Sequence, residues 1–160
     1  MQYIKRPTFH LMGLALDKKT YNANGQSAID CGNLWQEFEK RKISSKIPNP
    51  LDGDIFAVYY DYEGDHTKPY AYFIGCKVQQ DAAVPEGLDY LTIPESTYLR
   101  IEAKGKMPDC VGGAWMNIWN AGFPRAYQYD FEVYDHRSRD WQQVEVDIFL
   151  SIDHQHKFSL

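Results

Sequence analysis

The chain has 160 residues, 44% of them hydrophobic and 24% charged, and a formal net charge of −5 from 17 Lys and Arg against 22 Asp and Glu. This length suits one domain with a proper core, and the composition excludes intrinsic disorder. The sequence has neither an apolar run of the roughly 18–20 residues that a membrane span needs nor a basic run, so we expect no membrane attachment and no direct nucleic-acid binding.

The first predicted elements are a buried strand and an amphipathic helix. Residues 11–16 form a short apolar run, which is typical of a buried strand. Apolar residues at helical spacing within 34–38, with charged residues between and after them, predict a helix of about three turns. We expect this helix to begin near Asp30 or Asn33, which are good N-cap residues, and to end before Pro48.

A hairpin follows the helix. Residues 54–62 and 69–78 are rich in Tyr, Phe, Val and Ile, and only the polar residues 63–68 separate them. This pattern predicts two antiparallel strands. A polar loop that contains Pro85 and Gly87 then leads into the second half of the chain.

The second half repeats the same order of elements. Residues 98–103 are predicted to form a strand. A helix is predicted to begin at Pro108, because apolar side chains recur along one helical face within 111–119. Residues 127–135 and 144–152 predict two final strands.

The element order is therefore β-α-β-β twice, over roughly residues 8–80 and 90–153. A half of this size cannot bury its own sheet face, so the halves should join into one antiparallel sheet with both helices packed on it. The sequence predicts an α+β fold that forms a single domain over residues 1–160.

Glu132 is the first candidate functional residue. Strand alternation places Phe131 and Val133 on a core face and leaves Glu132 beside Tyr134 on the opposite face. A carboxylate in such an aromatic strand either faces solvent or lies in a pocket walled by aromatic rings, where it awaits a cation. The sequence leaves both interpretations open.

Aromatic side chains that could hold a cation are abundant, with 12 Tyr, 8 Phe and 4 Trp. Trp115 and Trp119 lie on one face of the second predicted helix, either as core residues or as ring faces for a cation. The sequence does not indicate which of the strand tyrosines point into a cavity.

The sequence contains no recognisable metal-binding or nucleophile motif. Cys31, Cys76 and Cys110 are scattered and form no CxxC pair, which favours a reducing cytoplasm over a disulfide framework or a zinc site. His154 and His156 are close in sequence but have no third ligand. We expect neither a metal nor a cofactor.

Several stretches resemble the GyrI-like effector-binding superfamily. Residues 130–135 carry its Phe-Glu-x-Tyr ending, residues 146–152 its acidic-hydrophobic last strand, and residues 98–105 its Tyr-x-x-Phe-x-x-x-Gly strand. Residues 59–64 and 70–78 look like the integron-cassette branch and the AraC-type effector-binding modules.

This resemblance implies a duplicated β-α-β-β fold around a cavity for amphipathic, often cationic, small molecules. In multidrug-binding members the Phe-Glu-x-Tyr carboxylate neutralises the ligand charge, and Glu132 matches that position. The expected ligand-binding residues are Glu132, Trp115, Trp119, Tyr134, Phe149, Tyr60 and Tyr98. Ser151 stands where the family usually has proline.

The expected function is that of a stand-alone cytoplasmic effector-binding protein, linked to transcription regulation or drug sensing. No helix-turn-helix segment precedes residue 11, so regulation would act through another chain. One alternative is hydrolysis of reactive small molecules, with Glu132 as base and Tyr134 as proton donor. Another is inhibition of a partner protein such as a topoisomerase. A homodimer through an unpaired edge strand also stays open.

Overall fold

A computed structural model describes residues 2–153 of the chain; His154 and His156 lie outside them. Eight strands and three α-helices occur within these residues. The strands are β1 (Gln2–Arg6), β2 (Phe9–Ala15), β3 (Ile55–Tyr60), β4 (Ala71–Val78), β5 (Asp89–Ile93), β6 (Ser96–Gly105), β7 (Asp130–Tyr134) and β8 (Val144–Ser151), and the helices are α1 (Gln26–Lys40), α2 (Ile43–Lys46) and α3 (Asp109–Asn120). None of these helices is long and apolar enough to cross a membrane.

All eight strands form one antiparallel sheet in the order β1-β6-β8-β7-β3-β4-β2-β5. The predicted repeat is confirmed as β2-α1-β3-β4 and β6-α3-β7-β8, with the short α2 added after α1. The two halves meet at the centre of the sheet, where β3 pairs with β7 and Ala57 lies opposite Glu132. The junction between the repeats is therefore a continuous part of the sheet.

The two outermost strands were not expected from the sequence. The strand β1 precedes the first repeat but pairs with β6 of the second, and β5 precedes the second repeat but pairs with β2 of the first. Both strands lie at sheet edges and mix polar with apolar residues, so neither shows the long apolar pattern of a buried strand. Each half thus receives its edge strand from the chain that leads into the other half.

The sheet curls strongly, because short connections join distant strands. Pro7 and Thr8 alone separate β1 from β2, although six strand spacings of roughly 4.8 Å each lie between those strands in the sheet. Pro94 and Glu95 join β5 to β6 in the same way. The two connections meet where the backbone N–H of Glu95 donates to Thr8 Oγ1 at 3.0 Å.

Curling buries the face of the sheet that carries no helix, which we call the inner face. The rings of Phe9 on β2 and Phe131 on β7 are 5.4 Å apart, although two strands lie between β2 and β7. The buried residues of this face are Phe9, Leu11, Phe56, Val58, Phe73, Ile93, Tyr98, Phe131, Val133 and Phe149. Burial of each such large side chain contributes about 1.5–3 kcal/mol.

The helices cover the opposite, outer face. Leu34 and Phe38 of α1 pack over the first half, and Val111, Trp115 and Ile118 of α3 pack over the second. Val146, Ile148 and Leu150 of β8 lie under α3, as their alternation predicts. Both sheet faces are therefore buried, and a polar residue on either face needs a hydrogen-bonding partner.

The helix α1 begins earlier than the sequence suggested. It starts after Gly25, which adopts a left-handed conformation with φ 68°. Asp30 does not cap the helix, because its carboxylate accepts hydrogen bonds from Thr20 Oγ1 at 2.7 Å and Gln26 Nε2 at 2.9 Å. The prediction of a start near Asp30 or Asn33 was wrong for this reason.

Candidate ligand-binding site

Glu132 is buried at the centre of the outer face, beside the junction of the two halves. It lies opposite Ala57 on β3 and Ile148 on β8, and only 2% of its surface is exposed. Its strand neighbours Phe131 and Val133 point to the inner face. The sequence left open whether this carboxylate faces solvent or is buried, and in the structure it is buried.

Three neutral donors surround the carboxylate. Tyr59 Oη and Trp115 Nε1 both donate to Glu132 Oε2 at 2.6 Å, and Tyr134 Oη donates to Oε1 at 2.6 Å. The donors come from β3, α3 and β7, so both halves of the molecule contribute. Hydrogen bonds to an ionised acceptor are short and strong, and these three fix the carboxylate in one orientation.

The charge of Glu132 is not neutralised within the part of the chain that the structure describes. No Lys, Arg or His among residues 2–153 forms an ion pair with it. Burial raises the pKa of Glu132, and the hydrogen bonds from Tyr134, Tyr59 and Trp115 oppose that rise. The site thus holds an acceptor whose charged form would gain from a cation.

A cavity of about 670 Å³ opens in front of this carboxylate, and we call it the Glu132 cavity. Nine of its 21 lining residues carry an aromatic ring. The aromatic lining residues are Trp35, Tyr59, Tyr62, His66, Tyr70, Tyr72, Trp115, Trp119 and Tyr134. Small residues of the two helices, including Ala28 and Gly112, complete the wall.

The tyrosines of the wall support one another. Tyr59 packs against Tyr72 and Trp115, with ring centroids 5.0 Å and 4.9 Å away, and Trp35 Nε1 donates to Tyr72 Oη at 2.8 Å. Burial raises the pKa values of Tyr59, Tyr72 and Tyr134 well above the usual value for a phenol. These phenols therefore stay protonated at neutral pH, so Tyr59 and Tyr134 can act as donors to Glu132.

A buried ion pair borders the cavity. Arg125 Nη2 lies 2.8 Å from Asp130 Oδ2, which also accepts a bond from Tyr62 Oη at 2.7 Å. The backbone N–H and the hydroxyl of Ser151 donate to Asp130 Oδ1 at 2.7 Å and 2.9 Å. Ser151, the departure from the family pattern, thus supplies a backbone donor that a proline lacks.

The structure brings together four of the seven predicted ligand-binding residues. Glu132, Trp115, Trp119 and Tyr134 all line the cavity, and Trp119 stacks on His66 with ring centroids 5.6 Å apart. Whether they bind a ligand remains a prediction.

Tyr60, Tyr98 and Phe149 are not in the cavity, which corrects the expectation for them. Phe149 stacks on Phe131 at 5.0 Å within the inner face, and Tyr98 packs against both. Tyr60 belongs to the same face and stacks on a neighbouring tyrosine. The reason is register: Glu132 pairs with Ile148, so it shares a face with Ile148 and not with Phe149.

Several residues of the cavity were missed as site residues. Tyr59 was one of many strand tyrosines whose direction was unknown, and Trp35 was assigned to the core stripe of its helix. His66 and Arg125 lie in connections that carry no periodic signal. Only the pairing of β3 with β7, which the sequence does not reveal, would have identified Tyr59 as a partner of Glu132.

The comparisons with known proteins identify the family of the chain. A family model described as integron-associated effector binding protein matches residues 4–152. A relative from Bacillus subtilis strain 168, YobU, is 26% identical over 123 residues, which is 74% of this chain and 77% of YobU. The name of YobU describes it, provisionally, as a transcriptional regulator.

Solved structures share the fold. An integron cassette protein from the mobile metagenome of Vibrio cholerae superposes with a TM-score of 0.69 at 23% identity, covering 93% of this chain and 94% of that one. SAV2435, solved with bound tetraphenylphosphonium, superposes with a TM-score of 0.78 at 16% identity, covering 98% of this chain and 96% of that one. This chain thus shares its fold with these proteins.

Proposed function

Because the chain belongs to the family of integron-associated effector binding proteins, within the GyrI-like superfamily that its sequence resembles, we propose that it binds an amphipathic aromatic cation in the Glu132 cavity. One observation carries the proposal. Glu132 is buried, accepts three hydrogen bonds from neutral donors and forms no ion pair with any cation of residues 2–153. A ligand cation would supply the missing charge.

The energetics of the buried carboxylate favour a cationic ligand. Removal of a carboxylate from water is unfavourable, and the three hydrogen bonds compensate only in part, since burial still raises the pKa of Glu132. A cation 4 Å from a carboxylate gains about 4 kcal/mol at an effective dielectric constant of about 20, against about 1 kcal/mol in water. The gain is therefore larger beside Glu132 than it would be in bulk water.

The aromatic wall adds a second attraction for the same kind of ligand. Tyr59 and Trp115 hold fixed orientations because both donate to Glu132. A cation over the face of a ring gains about 0.5–2 kcal/mol, and flat ligand rings gain further by stacking. Charge and aromatic area thus act on the same molecule.

The same features support broad specificity. The cavity volume of about 670 Å³ lies within the usual range for small-molecule sites, and aromatic and apolar groups dominate its wall. Affinity then depends on positive charge and apolar area, which many compounds share, rather than on one hydrogen-bond pattern.

We infer a sensor role in transcription regulation or drug response, in the cytoplasm that the scattered cysteines favour. The regulator name of YobU supports this inference. Tetraphenylphosphonium, bound to SAV2435, is the natural first probe, because it combines one positive charge with four aromatic rings.

The decisive experiment is a calorimetric titration with tetraphenylphosphonium and with triphenylphosphine oxide, a neutral compound of similar aromatic character. We expect the wild type to bind the cation, and Glu132→Gln to bind it at least about tenfold more weakly. Glu145→Gln, which changes a partly exposed strand glutamate outside the Glu132 cavity, serves as the matched control and should leave binding unchanged. Affinity for the neutral compound should be the same in all three proteins.

Two outcomes would contradict the proposal. The first is the absence of tetraphenylphosphonium binding to the folded wild type. The second is equal binding of the cation to wild type and Glu132→Gln, since equal affinities would show that the carboxylate of Glu132 does not contribute to binding.

A further inference from the structure

A second cavity of about 860 Å³ lies beside the Glu132 cavity. Residues of α1, the start of β3, the start of α3 and the 134–141 segment surround it. Its lining includes Gly32, Glu39, Asp54, Arg139 and Trp141. Both halves of the molecule contribute to it, as they do to the Glu132 cavity.

One layer of side chains separates the two cavities. Trp35, Met107, Pro108 and Tyr134 line both of them. The rings of Trp35 and Tyr134 meet edge to face with centroids 5.1 Å apart. The two cavities are therefore adjacent, and an elongated molecule needs to extend past only this one layer to reach both.

The wall that α1 contributes includes a glycine at a position where neither the backbone conformation nor the packing requires one. Gly32 lies on one helical face with Trp35, Gln36 and Glu39, and it has ordinary helical geometry. A Cβ built at Gly32 would meet no atom within 4 Å, so packing does not require a glycine there. Glycine weakens a helix relative to alanine. Gly32 therefore leaves space open in the second cavity but makes α1 less stable than alanine would.

The rim of the second cavity carries an exposed tryptophan. Trp141 is 58% exposed, while its carbonyl oxygen accepts a hydrogen bond from the N–H of Met107 at 2.8 Å. The backbone therefore fixes the position of this residue, and the large indole remains available for contact.

The charges around the second cavity are mixed. Glu39 and Asp54 lie in its lining with Arg139, and Asp135 is already paired with Arg137 at 3.0 Å. Such a wall does not select a cation in the way that the isolated carboxylate of Glu132 does. Its apolar surface suits an uncharged group instead.

We propose that the second cavity binds the uncharged apolar end of a ligand whose cation lies beside Glu132, so that the preferred ligands are elongated amphipathic cations. This inference rests on the proposed function. The shared wall, the open space at Gly32 and the exposed indole of Trp141 support it together.

The test compares methyltriphenylphosphonium with decyltriphenylphosphonium, which share a cationic head and differ in tail length. Gly32→Leu fills the second cavity, and Gly113→Leu is the matched control, since Gly113 is also a helical glycine with open space but lines neither cavity. Each buried methylene group tightens binding roughly fourfold, so exclusion of two of them already costs more than about tenfold. We expect Gly32→Leu to weaken decyl binding by at least about tenfold and to change methyl binding less than about twofold.

A second variant pair tests the rim. Trp141→Ala should weaken binding of the decyl compound severalfold and leave the methyl compound unaffected. Ile29→Ala, at a similarly exposed residue that lines neither cavity, should change neither affinity.

The outcomes separate this inference from the proposed function. If the methyl compound binds in a Glu132-dependent manner but Gly32→Leu and Gly113→Leu bind the decyl compound equally, the second cavity is not a ligand compartment. If neither compound binds the folded wild type, the proposed function fails and the inference fails with it.

Discussion

The indole N–H of Trp115 donates to Glu132 Oε2 at 2.6 Å and joins α3 to the centre of the sheet. Both residues are buried, so this bond replaces water at the carboxylate. The same indole packs against Tyr59, the second donor to that oxygen. Helix position and carboxylate orientation therefore depend on each other.

Loss of this bond should destabilise the protein. Trp115→Phe keeps an aromatic ring but removes the N–H, so we expect the free energy of unfolding to fall by about 1–3 kcal/mol in urea denaturation. Trp141→Phe, the same change at an exposed position, should alter it by less than about 0.5 kcal/mol. Equal effects of the two variants would show that the bond to Glu132 contributes nothing.

Ligand affinity should depend on pH through Glu132. Burial places the pKa of Glu132 above its usual value of 4.5, so protonation favours the folded state below pH 4.5, and this contribution is lost as the pH rises through the folded pKa. A cation requires the charged form and therefore shows the opposite dependence. Its affinity should rise with pH across the folded pKa, by up to about tenfold per pH unit, and then level off.

Fluorescence titrations of tetraphenylphosphonium from about pH 5 to pH 8 measure this dependence. Glu132→Gln should give a flat profile over the same range. A wild-type profile as flat as that of the variant would contradict the assignment of Glu132 as the counter-ion.

The two glycines of α3 should respond differently to alanine. Gly112 lines the Glu132 cavity and Gly113 does not, and a Cβ at either position meets no atom within 4 Å. Both Gly112→Ala and Gly113→Ala should stabilise the fold by up to about 1 kcal/mol, because alanine is the better helix former. Only Gly112→Ala should weaken binding of bulky cations, since its methyl group occupies cavity space.

Thermal unfolding and calorimetric titration of the two glycine variants give both quantities. Identical ligand affinities, combined with the expected stabilisation, would mean that ligands do not approach the helix backbone at Gly112.

Ser151 should stabilise the end of the sheet through Asp130. Ser151→Ala removes the hydroxyl bond and keeps the backbone bond, whereas Ser151→Pro removes both. We expect each lost bond to a buried carboxylate to cost about 1–3 kcal/mol, so the free energy of unfolding should decrease from wild type to alanine to proline. A proline variant as stable as the wild type would show that Asp130 is satisfied without Ser151.

The sequence predicted the repeated elements because their signals are local. Trp115 and Ile118 recur at helical spacing, and the alternation around Glu132 assigns its strand neighbours to opposite faces. The edge strands β1 and β5 were not predicted, because each is short and only half apolar and its partner strand is distant in sequence.

The cavity was predictable only in part, because strand register is a long-range property. Alternation within β7 and β8 was correct, but it could not show that Glu132 lies opposite Ile148, which sends Phe149 to the inner face. The pairing of β3 with β7 likewise decides that Tyr59 reaches Glu132. Such contacts depend on sheet topology, which one sequence does not encode in any local pattern.

Because β1 pairs with the second repeat and β5 pairs with the first, the two repeats depend on each other structurally. Each repeat lacks its outer strand unless the chain leading into the other repeat supplies it, so neither half is complete as an isolated fragment. A ligand bound in the Glu132 cavity, as proposed, would contact both halves at once, and its binding energy would add to the stability of their association. Such a ligand would therefore stabilise both repeats together, and its effect would extend over the whole described domain.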